Sequence, residues 1–353
     1  MPSVEILGTG RIDERESAFP QAVQLPDGDL LCSFGVGGGA HVTGGTDWAR
    51  STDGGATWSV EGTLLPYEPQ GDWANFLKLS LSCDGKTIYA YGSWIGANPD
   101  ESFGQRPTRV VFCESVDAGR SWSRPRDVPW PVDCPLEVSH ALLPLPTGRL
   151  LAPAATLPAA DRLGEQVLVG ISDNGGLDWN HAVVFADPAG ELGFFEQKLA
   201  RLASDRLLAT AWTVTLGDYA DRPNSYSISD DGGLSWSAPR STGIRGQTLT
   251  PIPLGDDRLL VLYNRRHGEQ AIMMCLVTVS EDGWQVHSEQ TLYDAGMHYQ
   301  RADDVESGID ELDAFAFGFP TAVELQDGAF LATHWCVEHG VCGIRWTRLR
   351  VHW

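Results

Sequence analysis

The 353-residue chain contains no apolar run approaching the ~20 residues of a membrane-spanning helix, so no membrane partner is expected. It is also poor in cations: 25 Lys and Arg stand against 47 Asp and Glu, a net charge of −22. That balance excludes the extended basic surface needed to hold nucleic acid or an anionic membrane. Any anionic ligand must then be held by a local cluster of Arg or Lys. The seven cysteines lack the CxxC spacing of zinc sites, and the nine histidines are scattered, so neither a metal nor a cofactor is expected. The opening residues, MPSVEILGTGRIDERES, hold no basic stretch followed by an apolar one, which predicts a cytoplasmic chain with free thiols. Cys336 and Cys342, on either side of a turn at His339, are the pair placed to meet across a hairpin. No Ser/Pro/Gly-rich linker interrupts the chain, and one domain over 1–353 is expected.

What the chain has in abundance is repetition. STDGGATW (51–58) returns as SVDAGRSW (115–122), SDNGGLDW (172–179) and SDDGGLSW (229–236), with a shortened SEDGW at 280–284. The third positions lie 64, 57, 57 and 51 residues apart, a period that signals repeated supersecondary units. Within each copy an Asp or Asn can accept from following backbone N–H groups, glycines supply positive φ, and the tryptophan can cover neighbouring strands. Six apolar hairpins alternate with these turns, beginning at Pro20, Asn75, Val138, Glu196, Gln247 and Pro320, each with period-two patterning around a tight turn. Four strands repeated six times predict an all-β, six-bladed β-propeller. The blades are expected at 18–63, 73–128, 137–185, 195–241, 246–292 and 319–351. A short strand at 4–7 should complete the last blade and close the ring. A long connection around RADDVESGIDELD (301–313) separates blades five and six.

This topology gathers the starts of the innermost strands, and the loops between second and third strands, at one mouth of the ring. Reactive side chains belong there, on loops held by a rigid scaffold. The positions that reach it include Asp47, Trp73, Trp94, Glu137, His140, Glu196, Lys198, Arg245, Gln247, Tyr263, Arg265, Arg266, His267, Phe319, His334 and Trp335. Carboxylates, imidazoles, guanidiniums and aromatic rings converging on one pole suit a sugar with a charged group: rings stack on C–H faces, and paired arginines fork onto a carboxylate.

The repeated turns resemble the Asp-boxes of the sialidase (neuraminidase) superfamily, and the resemblance extends over essentially the whole chain. It implies a six-bladed propeller, structural boxes and a carbohydrate substrate. It also implies three arginines on the substrate carboxylate, a tyrosine nucleophile assisted by a glutamate, and an aspartate as acid/base. Glu196 matches the glutamate, and Asp47 is the acid/base candidate. The Arg-Ile-Pro expected to open blade one is Ala18-Phe19-Pro20 here. The arginine expected at the end of the blade-four hairpin is replaced near Trp212, and the tyrosine position falls on Phe319. Three readings follow. A hydrolase would use Glu196 with Asp47 or Glu137, and Tyr219 or Tyr263 in place of the absent tyrosine. A lyase for uronate-containing glycans would use His140, His267 or His334 beside a carboxylate neutralised by Arg245 or Arg265. A sugar-binding propeller would keep Trp73, Trp94 and Trp335 as stacking platforms.

Overall fold

The computed structural model describes residues 2–96, 104, 106–297 and 315–353. The connection at 301–313 lies outside the described residues. Six antiparallel sheets follow one another around a ring, as the repeat predicts. Their innermost strands are Ser17–Gln24, Trp73–Leu81, the pair Leu136–Glu137 and Leu143–Pro144, then Leu192–Arg201, Gln247–Gly255 and Phe317–Glu324. The ring closes through an N-terminal strand, Ser3–Asp13, that pairs with Val341–His352 of blade six. This closing strand is longer than the 4–7 segment expected from the sequence, because two register shifts carry the pairing onward through the glycines to Asp13.

Apolar side chains alternate along each strand and fill the spaces between neighbouring blades. Val169 and Ile171 of blade three, for example, share a core with Leu199 and Ala209 of blade four. Close to the axis, each of the six seams between blades is also crossed by a side chain that donates to a backbone carbonyl of a neighbouring inner segment. Four of these donors are hydroxyls: Ser33 to Leu77 at 2.8 Å, Thr210 to Leu249 at 2.7 Å, Thr250 to Pro320 at 2.7 Å and Thr321 to Pro20 at 3.2 Å. The two seams flanking blade three use lysines instead, Lys78 to Val138 and Lys198 to Ser139.

The lower face carries the boxes. The Ser51 hydroxyl accepts from Gly55 N–H at 2.9 Å and donates to Asp53 Oδ1 at 2.8 Å, while that carboxylate accepts from Thr57 N–H at 2.9 Å. Ser115, Ser172 and Ser229 repeat the arrangement with Gly119, Gly176 and Gly233. The hydroxyls of Thr57, Ser121 and Ser235, each donating at 2.6 Å, act first and with these bonds hold the carboxyls of Asp53, Asp117 and Asp231 down at about 2. Each box then offers its fourth-position carbonyl to an arginine of the preceding blade. Arg348 reaches Gly54 at 3.0 Å, Arg50 reaches Ala118 at 2.6 Å, Arg126 reaches Gly175 at 3.2 Å and Arg149 reaches Gly232 at 2.9 Å.

Cys336 and Cys342 are both free. In the blade-six register Cys336 lies opposite Gly343 and Cys342 opposite Val337. Their side chains therefore point to opposite faces of the sheet, one into the blade-five seam and the other towards blade one.

Candidate active site at the axial mouth

Four inner strands break register at the same station. The shifts fall between Ala18 and Gln21, Phe195 and Lys198, Gln247 and Thr250, and Gly318 and Thr321. At each of them a non-glycine residue takes a left-handed backbone: Phe19 (φ 58°), Glu196 (47°), Thr248 (52°) and Phe319 (52°). Such a bulge re-aims one side chain out of the sheet. The four residues thereby meet near the axis. Phe19 lies 5.4 Å from Phe319 and 5.0 Å from Phe76, ring centre to ring centre, and the Thr248 hydroxyl donates to Glu196.

Blade three contributes differently. Its second strand, Leu150–Thr156, contains Pro153, which has no N–H to give an inner neighbour. The inner segment pairs at Glu137 and again at Leu143, spending six residues where the partner strand spends four between Ala155 and Leu151. Residues 138–142 thus leave the ladder, and the Val138 and Ser139 carbonyls are free to accept from the two lysines.

The result is a compact charged cluster. Lys78 and Lys198 are fully buried, and each ammonium rests on a ring face as well as a carbonyl. Lys78 sits 3.8 Å from the Phe76 centroid, and Lys198 sits 3.7 Å from Phe319. Glu196 N–H donates to Glu137 Oε2 at 3.2 Å, and the Ser139 hydroxyl donates to Glu137 Oε1. Burial pushes the Glu137 carboxyl up, and the neighbouring Glu196 charge adds to the rise. Burial brings Lys198 down to about 7 against the opposing pull of Glu196 and Glu137, and it lowers Lys78 well below the usual range, helped by the charge of Lys198. His140 gives its Nδ1 to the Ala141 carbonyl at 2.8 Å. Burial, then the Lys198 ammonium, lowers its imidazole to about 3, so it is neutral at physiological pH.

Of the residues singled out in the sequence, Glu137, His140, Glu196, Lys198 and Phe319 come together in this cluster. Around it, Arg266 is buried with Nε donating to Gln247 Oε1 at 2.8 Å, its guanidinium 3.6 Å from the Phe315 ring centre. A Cβ on Gly318 would stand 3.0 Å from both the Arg266 guanidinium and the Trp335 indole, so glycine here lets the two side chains close over the strand. Trp335 itself lies 6.3 Å from Phe19. Trp73 and Trp94 meet edge to face at 6.1 Å on blade two, with Arg109 over Trp94. Asp47 is held by Arg15 at 3.0 Å and by the Thr63 hydroxyl at 2.7 Å, which ties its carboxylate to the outer strand of blade one. Arg265 folds back onto the Glu269 carbonyl at 2.7 Å, and Arg245 is exposed at the end of the outer strand Arg240–Arg245.

Three residues considered for the mouth lie elsewhere. Tyr263 is packed in the seam between blades four and five and donates to Glu289 at 2.6 Å, so it does not stand in for the absent tyrosine. Tyr219 spans to blade three, donating to Ala160 O at 2.6 Å and accepting from Leu163 N–H. His334 is buried against Tyr293 at 4.9 Å, in the seam towards blade five. Burial lowers it to about 3, and neither ring nitrogen has a hydrogen-bond partner among the described residues. Sequence reasoning did not single out Lys78, Phe76 or Thr248. The available signal was a lysine inside an apolar inner strand, NFLK, at the station that FEQK occupies in blade four.

A family model described as a BNR repeat-like domain matches residues 82–332. No curated protein matches the chain. Among solved structures, a protein of unknown function from Dyadobacter fermentans superposes with a TM-score of 0.79 at 22% identity, covering 100% of both chains. The intramolecular trans-sialidase of Ruminococcus gnavus, solved with oseltamivir carboxylate, gives 0.66 at 12% identity over 95% of this chain and 94% of that one. The NanB sialidase of Streptococcus pneumoniae gives 0.69 at 11% identity over 98% of this chain and 70% of its own. At these identities the likeness is one of fold.

Proposed function

The chain belongs to the BNR repeat-like domain family, and from that premise we propose that it is a glycoside hydrolase acting on a terminal, acidic sugar through a carboxylate pair rather than a tyrosine. The observation that carries this reading is the convergence of Glu137 and Glu196 from adjacent blades beneath the mouth of the ring, where the Glu196 backbone N–H donates to the Glu137 carboxylate at 3.2 Å. Glu137, with its carboxyl raised by burial, suits the proton donor to a leaving oxygen. Glu196, fixed by Thr248 and by its bulged backbone, suits the carboxylate that attacks the anomeric carbon or activates water. Lys78 and Lys198 lie below the pair, where their positive charge favours the ionised state of one member. Phe319 at the tyrosine station carries no hydroxyl and serves as the platform on which Lys198 rests.

The test is release of methylumbelliferone from its glycosides with neuraminic and glucuronic acid. Glu137→Gln should lower kcat by about 10²–10⁴-fold on whichever glycoside is cleaved, with little change in melting temperature. An unchanged rate would remove Glu137 from the mechanism, and a wild-type protein inert on the whole panel would sink the hydrolase reading. Following the ultraviolet absorbance of a conjugated double bond in the same reactions separates hydrolysis from elimination.

A further inference from the structure

At the rim between blades four and five stands a second set of proton-handling groups, distinct from the axial acids. His267, in the loop after the second strand of blade five, places Nε2 2.8 Å from Asp221 Oδ2 at the start of the third strand of blade four. The other carboxylate oxygen of Asp221 accepts from the Trp212 indole N–H, also at 2.8 Å. The Asp221 side chain is 3% exposed and that of His267 19%. A buried carboxylate locked on one side by an indole can only accept on the other, so Nε2 carries the proton and Nδ1 presents a lone pair. No described residue hydrogen-bonds Nδ1. The Trp212 ring lies 5.5 Å from Phe195, the residue immediately before Glu196, which ties this arrangement mechanically to the axial pair.

We propose that His267, oriented by Asp221 and Trp212, is a proton acceptor for the bound substrate at this mouth. This rests on the reading that the mouth holds a sugar. The lone pair of Nδ1 takes the proton of a substrate hydroxyl, the O–H bonding pair stays on oxygen, and the imidazolium so formed is stabilised by the Asp221 carboxylate. The ligand chemistry is a polyhydroxylated, anionic sugar, flanked on blade four by Arg222, next to Asp221, and by Arg245, which lies opposite Pro223 on the outer strand. The remaining charged groups on the surrounding elements are Arg265, Arg266 and Glu269 of the same loop and Asp218 of blade four.

Two measurements on the full chain decide it. NMR of protein carrying isotope-labelled histidine should show His267 as the Nε2–H tautomer. Asp221→Asn should turn it to the Nδ1–H tautomer, because the amide can donate where the carboxylate accepted. With the cleaved methylumbelliferyl glycoside, His267→Gln and Asp221→Asn should each lower kcat by about 10²-fold or more with KM and melting temperature nearly constant. An Nδ1–H tautomer in the wild type overturns the proposal. So does a His267→Gln variant that keeps full kcat while Glu137→Gln is inactive, an outcome that leaves the hydrolase reading intact. If no glycoside is cleaved at all, the hydrolase reading fails and the proposed proton acceptance fails with it, whereas the tautomer result stands or falls separately.

Discussion

At the lower rim four boxes solve one problem with the same atoms: a serine hydroxyl, a carboxylate or amide, a glycine whose N–H the serine accepts, and an arginine from the blade before. At the mouth the equivalent station holds a phenylalanine in blades one, two and six, Glu196 in blade four and Thr248 in blade five, while blade three abandons the strand altogether. The rim needs only to turn the chain and tie each blade to its neighbour, and a local pattern can do that repeatedly. The mouth must bring unlike groups to one point, and it reaches that by bulges and a proline, which are local departures from the repeat. The two faces also titrate apart. The box carboxyls lose their bonds as pH falls from 3.8 through about 2, whereas the mouth responds near neutrality and above.

The contrast predicts that rim and mouth can be damaged separately. The largest effect should come from Glu196→Gln, which is expected to cost about 10²–10⁴-fold in kcat while thermal unfolding stays within a few degrees of wild type. A large loss of stability instead would make Glu196 part of the scaffold. Next is Lys198→Met. The native state holds this amine near 7 against 10.5 unfolded, so the unfolded chain binds more protons between those values. The burial penalty is complete below pH 7 and vanishes above 10.5, and wild-type stability should climb across that window by on the order of 5 kcal/mol. Urea titrations at several pH values should show that slope flattened in the variant; an equal slope would assign it to another group.

Arg50→Met removes the clamp on the Ala118 carbonyl together with its ion pairs to Asp29 and Glu61. A loss of about 2 kcal/mol is expected with kcat unchanged. Smallest is Ser51→Ala, which leaves Gly55 N–H without its acceptor and should cost about 1 kcal/mol, read by the same urea titration. If either rim variant lowers kcat at constant stability, the division of labour between the faces is wrong.

How much was legible follows the same division. Asp53, Gly55 and Trp58 signal their turn within eight residues, and the hairpins signal theirs by period two, so blade number, blade bounds and ring closure could be read before any coordinates. Sequence position also indicates the height of a residue along the ring axis, and Glu137, Glu196 and Lys198, placed at one height by it, lie together in the structure. It did not give the side of the strand. Tyr263 and His334 sit at plausible heights but face the seams, because alternation sends successive residues to opposite faces and bulges reset the count. Lys78 hid within an apolar strand, its charge satisfied by a carbonyl and two rings that only the closed ring supplies. Pro153 was in plain view, yet its effect on the neighbouring segment depends on knowing which strand lies beside it.

The pairing of Ser3–Asp13 with Val341–His352 has a bearing on how the molecule comes into being. The earlier strand of this pair must wait, unpaired, for a partner synthesised more than 300 positions later. The entropic cost of joining ends so distant grows only slowly with separation, so the finished circle is not greatly weakened by it, but the search for that contact is slow. During biosynthesis the exposed early strand is therefore the point at which two nascent copies would most readily exchange edges.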